Sequence, residues 1–248
     1  METRQPTCSQ KKAKLGRYER IQRELETCDR VGQPFAFLWL LRDLTERKLI
    51  EKTCDHDNYE LSQGRPLHQY CKGENIPLNP NGIWYVKQGV VKLNTLCETG
   101  EEVLVGLAGE GMVFGSSLTM LQTYQATALS EVKLVPIYLT EIAAFPTLNC
   151  TFLTKVNHRL RQTEAFLAIA GRRRVKERFY HLLQLLKQEI GQPVEQGTRL
   201  KVRLTHEELA SACCTTRVTI TRLIGKLQKE GIIQFDGNNH MVLKDKNC

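Results

Sequence analysis

Apolar residues along the 248-residue chain follow different rhythms, and each rhythm predicts a different kind of element. After a polar, basic opening stretch, Pro34 introduces FAFLWLLRDLTERKLIEK, which reads as an apolar helix. From about His56 to Leu139 the pattern becomes that of short strands. The clearest pair is VVKLNTLC and EVLVGLA, joined by Glu98-Thr99-Gly100-Glu101, a short loop whose glycine can take a positive φ. Lys72-Gly73-Glu74, Asn79-Pro80-Asn81-Gly82, Lys87-Gln88-Gly89 and Gly109-Glu110-Gly111 punctuate further strands, and the set predicts a small barrel or roll. Pro146 suits the start of a long helix. Leu148, Phe152, Val156 and Leu160 recur along it every four residues, and Leu153, Phe166, Leu167 and Ile169 widen the stripe. Such a stripe suits either one helix packed on the roll or a helix whose far side also packs against its copy in a dimer, and its width favours the second.

Gly171-Arg172-Arg173-Arg174 breaks the apolar pattern and marks a hinge. VKERFYHLLQLLKQEIG predicts a helix beyond it, and Gln192 to Gly197 reads as a loop. Thr205 and Glu208 then form a T-x-x-E capping box that starts a short helix. Ala-Cys-Cys-Thr interrupts the pattern, and a second helix is expected from about Thr216 to Gln228. Ile220, Leu223, Ile224 and Leu227 give that helix its core stripe. Arg217, Val218, Thr221 and Arg222 lie off the stripe toward its N-terminal end, where a recognition helix presents side chains to base edges. Lys226 sits further along, suited to phosphate or water. Ile232, Ile233 and Phe235 lead into Asp236-Gly237-Asn238-Asn239, turn chemistry for a hairpin. A two-helix corner with a solvated basic face would share some of these features. Capping box, turn, basic face and hairpin in series favour a winged helix-turn-helix that binds double-stranded DNA.

The expected architecture is α+β. Residues 1–33 form a basic extension, 34–146 a β-roll, 147–171 a dimerisation helix and 172–248 the winged helix-turn-helix. Charge follows this division: of the net +8, residues 171–248 hold 15 Lys/Arg against 8 Asp/Glu, whereas residues 31–170 hold 12 against 14. A basic end joined to a near-neutral middle suits one part that meets phosphates and one that does not.

The longest apolar run, Phe35 to Leu41, is too short to span a bilayer, and no signal-peptide pattern opens the chain, so a cytoplasmic protein without membrane contact is expected. Nine scattered cysteines do not resemble a secreted disulfide framework. There is no P-loop, H-E-x-x-H or dinucleotide fingerprint, so neither an enzyme nor a cofactor or metal site is expected. Cys8 and Cys28 are too sparse for an iron–sulfur cluster. His56, His68 or Cys71 could ligate haem, although a lone histidine is more often a hydrogen-bonded surface residue. Cys213 and Cys214 are adjacent and could form a redox switch, or serve as small core hydrophobes.

Roll, long helix, hinge and winged helix-turn-helix in this order resemble the CRP/FNR family of bacterial transcription regulators, over about residues 34–245. TTRVTITRLIGKL and Gln162-Thr163-Glu164 are most similar to its cyanobacterial nitrogen-control subgroup. The resemblance implies a homodimer on a palindromic site, with RNA polymerase as a partner. It assigns base reading to Arg217 and Arg222, each able to form a bidentate contact with guanine. Thr205, Thr216 and Thr219 match phosphate-contacting positions. Val218 stands where the cyclic-AMP receptor branch has a glutamate, so a GTA half-site with its inverted copy is expected.

The effector side departs from the cyclic-nucleotide pattern. In FGSSLTMLQTYQATAL, which contains Phe114, Gly115, Ser116 and Ser117, Ser116 occupies the glutamate position. Ala126, beside Gln125, occupies the arginine position. Without that cation a cyclic phosphate loses its charge-assisted hydrogen bonds, so cyclic AMP is not expected to bind. The resemblance to the nitrogen-control subgroup suggests 2-oxoglutarate as effector. The gap counts against it, whereas Arg159 on the long helix, one turn before Thr163, matches that subgroup's effector-facing arginine and keeps it open. Arg174 stands near the place of a helix-capping aspartate in the cyclic-AMP receptor branch. Cys214 takes the place of a glycine in the helix-turn-helix, at a cost of about 1 kcal/mol if the turn needs positive φ. Two other readings remain: a thiol-responsive regulator, and a roll that docks a partner protein while the basic end binds DNA loosely.

Overall fold

The computed structural model describes residues 61–244 apart from Gln63 and Thr99. The basic extension, the helix expected after Pro34, Cys8, Cys28 and His56 lie outside the described residues. Strands β1 (His68–Tyr70), β2 (Gly82–Gln88), β3 (Val91–Leu96), β4 (Glu102–Ala108), β5 (Val113–Phe114), β6 (Gln125–Ala128) and β7 (Val132–Tyr138) build the roll. They form two antiparallel sheets, one ordered β1-β7-β2-β5 and the other β4-β3-β6. Val86, Phe114, Val132 and Leu134 of the first pack with Val91, Leu93, Ala108 and Ala126 of the second in one apolar core.

β2 is buried continuously from Gly82 to Val86 instead of alternating. Its outer residues Ile83 and Tyr85 are covered by a second cluster, which includes Ile142 of helix α1 (Leu139–Ala144). Leu148, Phe152 and Val156 of helix α2 (Pro146–Ala170) pack against the same cluster. A sheet covered on both faces reads as an unbroken apolar run.

These contacts sharpen the reading of α2. Three residues of the four-residue stripe belong to the roll, while Leu153, Leu160 and Leu167 are 61%, 54% and 73% exposed. Seven residues apart, they line the opposite flank. The last strand of the roll ends at Tyr138, close to the Leu139 expected from the pattern, and α1 stands between it and Pro146.

Helix α3 (Val175–Ile190) buries Phe179, Leu182, Leu183, Leu185, Leu186 and Ile190. Gln192 to Gly197, expected as a loop, instead belongs to a hairpin of β8 (Gly191–Val194) and β9 (Gly197–Leu200). Alternate burial of Thr198 and Leu200 gives β9 a core-facing side. Gly197 takes φ +136° where its missing Cβ would fall 2.2 Å from the Leu243 carbonyl oxygen, so the strand closes tightly on its neighbour. Helices α4 (His206–Ala212) and α5 (Arg217–Lys229) follow, then β10 (Ile233–Phe235) and β11 (Met241–Leu243). The sheet is ordered β10-β11-β9-β8, so the expected wing hairpin is half of a four-stranded sheet.

The core beneath α3, α4 and α5 also takes in Val90, Leu104, Leu107 and Leu129 of the roll and Phe166 and Ile169 of α2. The helix-turn-helix segment therefore shares its apolar interior with the roll. Among the described residues no helix is long and apolar enough to cross a membrane, and no group of three His, Cys, Asp or Glu is placed to hold a metal ion.

Candidate DNA-binding surface and effector mouth

Helix α4 begins as the capping box requires: Glu208 N–H donates to Thr205 Oγ1 at 3.1 Å, and Thr205 N–H donates to Glu208 Oε2 at 2.7 Å. Its C-terminal end leads to Cys214, whose φ of +46° is the left-handed conformation that a glycine takes freely and a residue with a Cβ adopts at a cost. Thr215 N–H closes the turn on the Ala210 carbonyl. Thr216 then caps α5, its hydroxyl accepting from Thr219 N–H at 3.3 Å.

Arg217, Val218, Thr221, Arg222 and Lys226 are all exposed, and Thr219 is half-buried. Lys226 lies 3.9 Å from Glu230. Thr221 differs from the others because its hydroxyl is already engaged, donating to the Arg217 carbonyl at 2.9 Å and sharing a 2.8 Å bond with His206 Nδ1. That leaves its methyl group as the part free to meet a base. The sequence pattern does not single out His206. It sits one residue past the capping threonine, and only the fold shows that it bridges α4 to α5.

Arg178 is the second residue that pattern alone does not find. Its Nε donates to the Cys213 carbonyl at 2.7 Å and its Nη1 to the Arg172 carbonyl at 2.8 Å, tying the hinge to the helix-turn-helix turn. Cys213 is fully buried, and burial pushes its thiol up to about 12 against the pull of Arg178. A thiol so held is inert at neutral pH, which speaks against a redox pair with exposed Cys214. In the wing, the Asp236 carboxylate accepts from His240 N–H at 2.8 Å and from Asn238 N–H at 2.9 Å. Those bonds, His240 first, hold it below the usual carboxylate range. Asn239 supplies the positive φ of 59° that the turn needs.

The effector candidates do not converge on one cluster. Phe114 and Ala126 are core residues, and Gly115 is buried above β2. Ser116 Oγ is buried without a hydrogen-bond partner, whereas Ser117 is exposed and donates to the Gly82 carbonyl. Gln125 is exposed and accepts from Asn94 Nδ2. Thr163 is exposed, its hydroxyl bonded back to the Arg159 carbonyl.

Arg159, by contrast, enters the roll. Its guanidinium lies where a Cβ on Gly106 of β4 would stand, so only glycine admits it. Nη1 donates to Gln162 Oε1 at 2.6 Å, and Tyr124 also hydrogen-bonds the guanidinium. Gln162, almost fully buried, accepts from Leu107 N–H at 3.1 Å and donates through Nε2 to Glu189 Oε2 at 2.7 Å. His158 Nε2 meets the same carboxylate oxygen at 2.9 Å. Burial lowers the pKa of Arg159, while Tyr124 and then Glu189 oppose the shift. Arg159 thus enters the roll at Gly106 with neutral direct partners, and Glu189 is reached through Gln162.

The chain is similar to known proteins over both the roll and the helix-turn-helix. A model of the Crp-like helix-turn-helix domain matches residues 177–247. The chain is 34% identical over 162 residues to a global nitrogen regulator of Synechocystis sp., covering 62% of this chain and 72% of that protein. It is 33% identical over 189 residues to a global nitrogen regulator of Synechococcus elongatus, covering 70% and 85% respectively. A solved transcriptional regulator of the CRP/FNR family from Thermus thermophilus superposes with a TM-score of 0.59 at 26% identity, over 73% of this chain and 94% of that one.

Proposed function

The chain belongs to the CRP/FNR family of DNA-binding transcription regulators, and from that premise we propose that it works as a cytoplasmic homodimer on a palindrome of GTA-type half-sites. The carrying observation is the N-terminal face of α5, where Arg217, Val218 and Arg222 stand in solvent with the opposite face locked into the core. The two guanidiniums suit guanine O6 and N7, and Val218 offers an apolar contact where a carboxylate would select cytosine. Thr205, Thr216, Thr219 and Lys226 suit the phosphates that fix register.

Leu153, Leu160 and Leu167 form the dimer seam of this reading, because a seven-residue repeat on one helix suits pairing with its copy. Two-fold symmetry then matches an inverted repeat in the DNA. RNA polymerase is the partner through which such a regulator acts.

The effector mouth supports independence from cyclic AMP. Ala126 is packed in the core, and Gln125 beside it carries no charge. Arg159 instead suits a small anion reached from the helix side of the roll. The experiment is a titration against duplexes with and without the GTA palindrome, with and without cyclic AMP. Preference for the palindrome unaffected by cyclic AMP is expected. Equal affinity for both duplexes would leave only loose phosphate binding.

A further inference from the structure

The reading above leaves the hinge between α2 and α3 without a role. Five of the fifteen basic residues between 171 and 248 fall within 172–178, against the single acid Glu177. A solvated basic linker is the ordinary explanation for such a run. Arg178 sets this one apart. Besides its bonds to the Cys213 and Arg172 carbonyls, its Nη2 donates to the Cys214 carbonyl at 3.3 Å and its Nη1 reaches the Arg173 carbonyl at 3.4 Å. One guanidinium therefore clamps four carbonyls, two from the hinge and two from the turn that launches α5. The hinge backbone is held within the width of one head group of that turn.

Arg173 and Arg174 emerge from the clamped segment into solvent. The Arg174 side chain is 82% exposed and reaches Glu177 only at 3.7 Å, an open pair that holds it weakly. A major groove about 12 Å wide is nearly filled by a helix about 10–12 Å across with its side chains. Whatever is fixed beside the N-terminal turn of a groove-bound helix thus lies at the groove wall, where phosphates run.

We propose that Arg173 and Arg174 form an additional DNA-backbone contact surface, meeting phosphates at the wall of the groove that α5 enters. The inference rests on α5 being the recognition helix. It assigns the hinge affinity without sequence preference, because phosphate contacts position a protein and do not read bases.

The test uses the full chain as Arg173→Ala/Arg174→Ala, Arg173→Lys/Arg174→Lys and Arg217→Ala, on the GTA palindrome and on a random duplex of equal length, across about 50 to 200 mM salt. The alanine pair should weaken both duplexes by the same factor. It should also flatten the slope of log affinity against log salt by about 0.9 for each phosphate it no longer neutralises, and the lysine pair should keep most of that slope. Circular dichroism and sedimentation check that each variant stays folded and assembled like the parent. A folded alanine pair with the parental slope overturns the proposal. So does a loss confined to the palindrome, which would put the hinge in base reading. If the parent itself does not prefer the palindrome, the reading of α5 has failed, and the random-duplex slope still judges the hinge.

Discussion

Arg159 and Arg217 carry the same guanidinium under opposite conditions. Arg159 is threaded past Gly106 into the roll, where Tyr124 and Gln162 hydrogen-bond its guanidinium and burial works against its charge. Arg217 stands in water at the first turn of α5 with its side chain exposed. A buried cation depends on every neighbour that replaces its lost water, so disturbing its surroundings shows up in the stability of the protein. An exposed cation owes little to its neighbours, so its removal shows up only when DNA arrives. The roll's mouth and the recognition helix should therefore separate cleanly into a stability site and a binding site.

The largest expected effect strikes neither arginine but the proposed seam, which would bring two copies of Arg217 together. Leu153→Asp/Leu160→Asp/Leu167→Asp alters only exposed positions, so each chain should keep its fold while sedimenting as a monomer. Palindrome affinity should fall at least about 100-fold once the half-sites are read separately. A variant that remains dimeric would sink the proposed seam.

Next in size is Arg217→Ala, expected to cost about 1–3 kcal/mol on the palindrome and to relax selection at one base pair. Its melting temperature should match the parent's. Parental affinity together with the parental selected sequence would mean that α5 is not the reading helix.

Gly106→Ala should do the reverse. The added Cβ would lie 2.1 Å from Arg159 Nη1, so the guanidinium must leave its bonds to Gln162 and Tyr124. We expect about 1–2 kcal/mol of lost stability by denaturant titration. An unchanged midpoint would show that the mouth does not rely on the arginine.

The smallest effect concerns the turn before α5. Cys214 should react with iodoacetamide near neutral pH while buried Cys213 stays unlabelled. The folded thiol of Cys213 titrates higher than the unfolded one, so the unfolded chain loses its proton first as pH climbs. The stability from this group is complete below the ordinary value of 9.0 and is lost as the pH rises toward about 12. Rapid labelling of both cysteines in the folded protein would contradict the burial.

The DNA-binding half is legible in the sequence because its signals are local. Thr205 and Glu208 sit three residues apart, the α5 stripe repeats every three to four, and Cys214 occupies a position fixed by the turn. Arg178, His206 and Ser211 act across 35, 15 and more than 100 residues, so no window of sequence can join them to their partners. The hairpin of β8 and β9 reads as a loop because its four-residue strands are too short for a period to emerge. On α2, periodicity gives the apolar positions correctly but not their division between two neighbours, since both flanks of a helix contribute to one stripe. Among the effector candidates, Arg159 alone carries a charge into the roll, past Gly106. Its companions Gly106 and Tyr124 lie on a different strand and loop, and nothing in their spacing ties them to α2.

Strand β4 has a consequence beyond recognition. It is an outer strand of its sheet, and outer strands present bare N–H and C=O groups that can recruit another chain. Ser211 of α4 covers two of them, donating to the Glu102 carbonyl at 2.6 Å and accepting from Leu104 N–H at 3.1 Å. Lys92 adds an ionic strut, 2.9 Å from Glu102 and 3.6 Å from Glu208. The DNA-binding segment is thus also a shield against self-templated aggregation. A roll cut free of it would carry a raw edge, open to adding strands from its own copies.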